Sequence, residues 1–172
     1  MYDAAVAQVI YHYNNEQLGG FSGTVVKMLE ADPHFAMGNI LQLVLDSFGK
    51  NFHVSRIFIS VHTTLQTATS PDKNQAPRKK LFDLSARYTS SSSSVRLTNQ
   101  ETAHLRAAVA LADEDYVVAM AEYEEILREA PLDMFALHMG YFLALTTGHT
   151  SKLRDLPAGV VSQYKPGMPY YG

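Results

Sequence analysis

Apolar residues in the first fifty positions recur at intervals of three and four, the spacing of one helix face. Positions 6 to 13 predict a first helix from about Asp3 to Asn14. After the glycines at 19, 20 and 23, positions 25 to 29 predict a second, shorter helix that ends near Pro33. Positions 35 to 48 predict a third helix that ends at Gly49. Residues 1–49 therefore form a first block of helices.

Residues 50–99 have a different character. The runs 71–80 and 90–94 are polar and of low complexity, so we expect disorder in them. Positions 54–61 are rich in β-branched residues and would suit a strand, but no second strand-like segment is present to pair with it. We predict a disordered or irregular insert at about 50–77, followed by a linker with a possible short helix at 79–88.

Helical spacing returns strongly at Gln100. A first helix is followed by the acidic turn 113–115, whose carboxylates can cap the next helix. That second helix should end at Pro131, because proline cannot continue it. Within it, Glu124 lies four positions before Arg128, which is the spacing of an ion pair on a helix surface.

A further helix should follow Asp133 as its N-cap and end at Gly148. Prolines and glycines interrupt the pattern after that point, so only a short helix at about 151–156 is expected. The third block is therefore 100–156, and 157–172 is a tail rich in proline and glycine.

The third block contains a helical hairpin that resembles one repeat of the tetratricopeptide type. With Pro131 at the last position of a 34-residue unit, Ala107 and Ala119 fall where its two helices approach closely, and Tyr123 falls at the aromatic position. Weaker copies end at position 33 and begin at position 134. The predicted fold is all-α, a fragment of an α-solenoid built from tetratricopeptide-like helical hairpin repeats.

Short segments along the chain also resemble the amino-terminal part of the tetratricopeptide repeat protein 38 family. They are Tyr2-Asp3-Ala4, Leu18-Gly19-Gly20, Ala31 to Gly38, Glu101 to His104, Glu125 to Pro131, Asp133-Met134, Ala136-Leu137, Arg154-Asp155 and Pro166 to Tyr171. The resemblance covers about 1–49 and 78–172, whereas residues 50–77 have no counterpart. Members of this family are longer than this chain, so the resemblance implies further repeats and an apolar face left uncovered here.

Composition argues against several kinds of chemistry. Lys plus Arg number 14 and Asp plus Glu 17, a formal charge of −3, so we expect no nucleic-acid partner. The absence of cysteine removes disulfides, zinc thiolates and a thiol nucleophile. The sequence shows neither a signal peptide nor a membrane-spanning segment, so we expect a cytoplasmic protein with no membrane partner. No catalytic motif is present, and we predict no catalytic residue, no metal and no cofactor.

His104 and His138, two of the seven histidines, lie 34 residues apart, which is one repeat length. Both would occupy the fifth position of a repeat's first helix, which in this repeat class faces the concave groove. With neighbouring positions they predict a weakly acidic, partly aromatic surface for a partner segment. Its residues are Glu101, His104, Ala108, Phe135, His138 and Phe142. Repeat proteins that hold the acidic carboxyl-terminal tails of chaperones use Lys, Asn and Arg at these positions to bind carboxylates. Because these residue types are absent from this set, we expect no such clamp.

These observations favour a protein–protein interaction scaffold that binds a partner segment on a concave helical face. Other interpretations stay open. The chain could be a small-ligand binder or an enzyme in which His104 and His138 line a pocket between repeats, or it could be an incomplete product without independent activity. The six groove residues could also be ordinary packing or solvated surface residues. The glycine-rich segment 19–23 lacks the fingerprint of a phosphate-binding loop, and we interpret it as a flexible turn.

Overall fold

The computed structural model of the chain describes residues 1–11, 13–47, 75–90 and 95–168. These residues form eight α-helices and one short 3₁₀ helix, and they contain no strand. They divide into two compact units, Met1–Leu97 and Thr98–Gly172. The all-α prediction is confirmed for this part of the chain. The possible strand at 54–61 and most of the predicted insert lie outside the described residues.

The first unit is a series of helices in which each packs on the next. They are α1 (Tyr2–Ile10), a 3₁₀ helix (Glu16–Leu18), α2 (Gly20–Ala31), α3 (Ala36–Ser47) and α4 (Gln75–Thr89). α1 packs on α2, α2 on α3, and α3 on α4. Val25, Ile40, Leu41 and Leu81 are almost completely buried in this unit.

α1 is shorter than its apolar spacing predicts. It ends at Ile10, and Tyr13 is 45% exposed instead of continuing the buried stripe. The cause is Gln8, whose side-chain carbonyl accepts a hydrogen bond of 2.9 Å from the backbone N–H of Asn15. Its amide group donates to the Thr24 hydroxyl at 2.8 Å. These two bonds fix the chain that follows α1 as a turn against α2.

The glycine-rich segment is not a flexible turn. Gly19 has a φ of +81° and ends the 3₁₀ helix, whereas Gly20 and Gly23 belong to α2. A Cβ atom on Gly23 would lie 2.4 Å from the carbonyl oxygen of Leu18, closer than any real contact. The absence of a side chain therefore allows α2 to begin directly against the preceding turn.

α4 begins at Gln75, before the predicted start of the short helix at 79. The expected disorder of the run 71–80 is therefore wrong for its helical part, residues 75–80. The helix buries Leu81, Leu84 and Tyr88, and the Tyr88 hydroxyl donates to the carbonyl oxygen of His34 at 3.2 Å. These buried side chains pack α4, including its polar first turns, against the rest of the first unit.

The second unit is a continuous series of four helices. They are α5 (Asn99–Ala112), α6 (Tyr116–Glu129), α7 (Met134–Thr147) and α8 (Thr150–Val161), and each packs on the next. Ala107 and Ala119, the two small residues singled out by the repeat pattern, have no exposed surface. Tyr123 is equally buried. This burial is expected for small residues between closely packed helices.

Side-chain caps define where these helices begin. The Thr98 hydroxyl accepts a hydrogen bond from the N–H of Glu101, and the Glu101 carboxylate accepts one from the N–H of Thr98, which forms a capping box. Asp115 caps α6 and Asp133 caps α7, each by accepting from the N–H three residues later. The N-cap roles predicted for these two aspartates are confirmed.

α8 extends to Val161 through Pro157, well beyond the predicted 151–156. Leu156 and Val160, on either side of the proline, are buried, and their packing offsets the backbone hydrogen bond that proline cannot donate. Gly140 of α7 leaves room for this contact, since a Cβ there would lie 3.3 Å from the Leu156 side chain. The tail therefore begins only after Val161.

The ion pair predicted within α6 is not formed. Glu124 binds Lys152 of α8 at 2.7 Å, and Arg128 pairs instead with Glu125, one turn earlier on its own helix. Glu124 thus links α6 to α8.

The connection between α6 and α7 has the same form as that between α2 and α3. In each, one helix ends two residues before a proline, Pro33 or Pro131, and the next begins three residues after it. The N–H of the residue before each proline, Asp32 or Ala130, donates a hydrogen bond to the carbonyl oxygen four residues earlier. The carbonyl oxygen of the same residue accepts a hydrogen bond from the N–H three residues later. The sequence similarity around these prolines therefore corresponds to a shared local structure.

Candidate interaction surface

α7 contains no Asp, Glu, Lys or Arg and is apolar around most of its circumference. One face is buried within the second unit, where α7 packs on α6 and α8. The other face is half-buried or exposed. The buried residues are Phe135, Ala136, Met139, Gly140, Leu143 and Ala144. The outer residues, here named the α7 stripe, are Met134, Leu137, His138, Tyr141, Phe142 and Leu145.

The α7 stripe is continuous along the helix. Its members follow one another at spacings of three, one, three, one and three, which places all of them on one side. Tyr141, near the middle, is 38% exposed. At the amino-terminal end, the hydroxyl of Tyr164 from the tail contacts the sulfur of Met134. A helix that presents an apolar stripe outward is typical of a surface that binds another protein.

A polar cluster, buried at His104 and exposed at Gln100, joins the first turn of α7 to α5. Asp133 Oδ2 accepts hydrogen bonds from Gln100 Nε2 at 2.6 Å and from His104 Nε2 at 2.7 Å. Asp133 Oδ1 accepts from the N–H of Ala136 at 2.8 Å. Because a carboxylate can only accept, His104 carries a proton on Nε2. Its ring is fully buried and stacks on Phe135, with ring centroids 5.5 Å apart.

The charge of Asp133 is supported by these contacts. Burial alone would raise the pKa of its carboxyl group, but the hydrogen bond and electrostatic interaction with His104 lower it. With the hydrogen bonds from Ala136 and Gln100, they hold the pKa below its usual value. Burial and the negative charge of Asp133 together raise the pKa of the Tyr123 hydroxyl. The cluster is closed to solvent at His104, so we assign it a structural role in joining α5 to α7.

The structure places the six predicted groove residues in different environments. His104, Ala108 and Phe135 are buried, with at most 1% exposure. Glu101 is half-buried and belongs to the capping box of α5. His138 and Phe142 lie in the α7 stripe. The buried members cannot contact a partner unless the core opens, and a binding role for the six stays a prediction.

The two helices that carry the predicted histidines are related by 35 positions, not 34. Their N-caps are Thr98 and Asp133, and their C-caps are Asp113 and Gly148; both pairs lie 35 positions apart. The N-caps of α6 and α8, Asp115 and His149, are 34 positions apart. The repeat length therefore holds for the second helix of each hairpin but not for the first.

This one-residue difference separates the two histidines. His104 is the sixth residue after its N-cap, whereas His138 is the fifth. One residue turns a helix by about 100°, so the two side chains leave their helices in different directions. His104 lies in the core and His138 lies in the α7 stripe. The prediction that both occupy one position and line one surface is wrong.

Sequence reasoning identified only two of the six stripe residues as candidates for binding. Leu137, Tyr141 and Leu145 are not among the six predicted groove residues. The signal that distinguishes them is the lack of any charged residue over all fourteen positions of α7. A surface helix normally carries charge on its outer face, so a charge-free helix has either two packed faces or one face open for a partner.

A cleft of about 220 Å³ lies between the beginning of α5 and the end of α6. Its lining includes Arg106, Glu125 and Glu129. Arg106 donates two hydrogen bonds, of 2.9 and 2.8 Å, to the Glu122 carboxylate. No histidine lines this cleft, so it is not the histidine-lined pocket of the alternative hypothesis. In the part of the chain that the structure describes, no group of His, Cys, Asp and Glu is placed to hold a metal ion.

No protein-family model and no solved structure matches the chain. Among the helices described, none combines the length and the apolar composition required to cross a bilayer.

Proposed function

We propose that the chain is a protein–protein interaction scaffold of the tetratricopeptide repeat type, which holds a segment of a partner protein against its helices. The observation that carries this proposal is the α7 stripe. Tyr141, which is 38% exposed, is the stripe residue most open to water. Each Å² of apolar surface that a partner covers contributes about 25 cal/mol. A partner that covers the stripe therefore gains binding energy without disturbing the buried face of α7.

The helical architecture supports the repeat part of the proposal. α5 with α6 and α7 with α8 form two successive hairpins whose second helices begin 34 positions apart. The connection around Pro131 has the hydrogen-bond pattern of the connection around Pro33. A relationship to the tetratricopeptide repeat protein 38 family belongs to the same proposal and would account for both features.

The chemistry of the stripe indicates what kind of segment it binds. It offers aromatic and aliphatic side chains, with Tyr141 as the most exposed aromatic group on α7. Tyrosine is among the residues that most often dominate binding energy at interfaces. The stripe carries neither Lys nor Arg, so it suits an apolar helical or extended segment and not an acidic tail.

Site-specific photo-crosslinking tests this proposal. A photoreactive phenylalanine analogue is placed at Tyr141 in the full chain, and in a matched control at Val117 of α6, an apolar residue that is 65% exposed. In an extract of cells that express the protein, we expect a discrete cross-linked partner from position 141 that position 117 does not give. Identical products from both positions, or none from either, would contradict the proposal.

A further inference from the structure

The cleft between the beginning of α5 and the end of α6 combines an apolar lining with a glutamate that forms no ion pair within the described residues. We propose that this cleft binds a lysine side chain of a partner protein, with the alkyl chain against the apolar lining and the ammonium group beside Glu129. The lining comes from α5, α6 and the residue that follows α6, and no residue of the α7 stripe belongs to it. The proposal therefore goes beyond the proposed function, because it concerns another surface and another kind of contact.

The lining of the cleft leaves room for an unbranched alkyl chain. The volume of the cleft is about 220 Å³. Its apolar lining residues are Ala103 and Ile126, which are buried, and Ala130, which is half-buried. Lysine side chains commonly lay their methylene groups along apolar surface while the ammonium group stays in contact with water. A cleft with buried apolar residues and an exposed carboxylate matches this division of the lysine side chain.

The four glutamates of α6 differ in whether their charge is compensated. Three of them form ion pairs with Arg or Lys side chains; these are Glu122, Glu124 and Glu125. Arg106, the basic residue in the lining, donates both of its hydrogen bonds to Glu122. Glu129 lines the cleft and is exposed, and no basic residue in the described part of the chain pairs with it. The uncompensated charge at the cleft is therefore negative, which favours a cationic ligand.

The position of Glu129 at the end of α6 adds to the attraction for a cation. The last carbonyl groups of a helix have no N–H partner within the helix, so this end carries a partial negative charge. The beginning of α5, on the other side of the cleft, carries a partial positive charge. There the capping box of Thr98 and Glu101 already supplies a carboxylate. The α6 side of the cleft is thus the side that attracts a positive group.

The other polar groups of the lining favour an ammonium group over a guanidinium group. The Thr102 hydroxyl donates to the carbonyl oxygen of Thr98 at 2.8 Å and keeps its lone pairs as acceptors. The amide nitrogen of Gln100 donates to Asp133, which leaves the amide oxygen as an acceptor. An ammonium group has three N–H donors that point in different directions, whereas a guanidinium group favours a planar pair of acceptors. Acceptors on separate side chains therefore suit lysine.

NMR titration of the isotope-labelled full chain tests the proposal. The probe is Nα-acetyl-lysine N-methylamide, and the control is the norleucine derivative, which has the same four-carbon side chain without the amine. We expect the lysine derivative to give saturable shifts of the amide signals of Ala103, Ile126 and Glu129. The dissociation constant should be on the order of 1 mM, as expected for so small a ligand. The norleucine derivative should give no saturable shift over the same concentrations.

Variants locate the binding site. Glu129→Gln removes the charge and should weaken binding of the lysine derivative by about three- to fivefold. Glu30→Gln, the same change at an exposed glutamate in the last turn of α2, should leave the dissociation constant unchanged. Ala103→Leu fills the cleft and should abolish binding while the helical circular dichroism spectrum stays that of the wild type. If Ala103→Leu does not fold, the comparison of Glu129→Gln with Glu30→Gln decides.

The proposal is overturned if the lysine derivative gives no saturable shift, if the norleucine derivative binds equally well, or if Glu129→Gln and Glu30→Gln have equal effects. Tighter binding of the corresponding arginine derivative would reject lysine as the ligand. These outcomes do not depend on the cross-linking at position 141, so either proposal can fail while the other stands.

Discussion

At the scale of single residues, Asp133 joins α5 to α7 by using both of its carboxylate oxygens. One carboxylate oxygen caps α7, and the other accepts hydrogen bonds from Gln100 and His104 of α5. The sequence predicts the capping role, because an aspartate before an apolar helix is a common N-cap. It does not predict the contact with α5, because that depends on how the two helices pack.

The lowered pKa of Asp133 predicts how stability depends on pH. Because the carboxyl pKa is lower in the folded state than the roughly 3.9 of an unfolded chain, its contribution is complete above that value. The contribution is lost as the pH falls through the folded-state pKa. Asp133→Asn keeps an N-cap oxygen but removes the charge, so it should lower stability at neutral pH by about 1–3 kcal/mol.

Urea unfolding followed at a series of pH values measures this effect. The wild-type chain should lose stability steeply in acid, and the Asp133→Asn chain should lose less over the same range. Asp83→Asn, a change at an exposed aspartate of α4, is the control. If the Asp133 and Asp83 variants had the same acid dependence, the buried carboxylate would not have the role assigned to it.

At the scale of elements, two glycines inside helices should respond in opposite ways to alanine. In Gly23→Ala the new Cβ meets the Leu18 carbonyl oxygen, which is part of the backbone and cannot move aside easily, so we expect a loss of about 1–3 kcal/mol. Around Gly159 of α8 no atom lies within 4 Å, and alanine should stabilise the helix by about 0.5–1 kcal/mol.

Thermal unfolding of the two variants beside the wild-type chain checks this pair. A lower midpoint is expected for Gly23→Ala and a higher one for Gly159→Ala. If both midpoints rise, α2 does not begin against the turn in the way described above.

The helices that the sequence predicts best are those with local end signals. α5, α6 and α7 begin within one residue of their predicted starts because their first turns are fixed by nearby capping side chains. Pro131 and Gly148 end α6 and α7 for equally local reasons. These features need no knowledge of distant contacts.

Elements that depend on packing were predicted less well. α8 continues through Pro157 because Leu156 and Val160 are buried, and α1 ends early because Gln8 binds Asn15 and Thr24. The positions of the two candidate histidines depend on turn length. The turn after α5 has three residues, 113–115, whereas the turn after α7 has two, 148–149. Because of this difference, α5 and α7 begin 35 positions apart although α6 and α8 begin 34 positions apart.

At the scale of the whole molecule, the described residues form two compact units, and each is a run of helices that pack on their neighbours in sequence. Such an arrangement gives every helix one or two packed faces. α7 is unusual because its remaining face is also apolar. The proposed function follows from this one property.

The division of α7 into a buried face and a more exposed outer face can be measured with single cysteines, because the chain has none of its own. Tyr141→Cys lies in the α7 stripe and Met139→Cys, two residues earlier, lies on the buried face. At low protein concentration, the thiol at 141 should react with a thiol reagent almost as fast as in the urea-unfolded chain. The thiol at 139 should react slower by on the order of 100-fold or more, since it must wait for the core to open. Equal rates at the two positions would contradict the account.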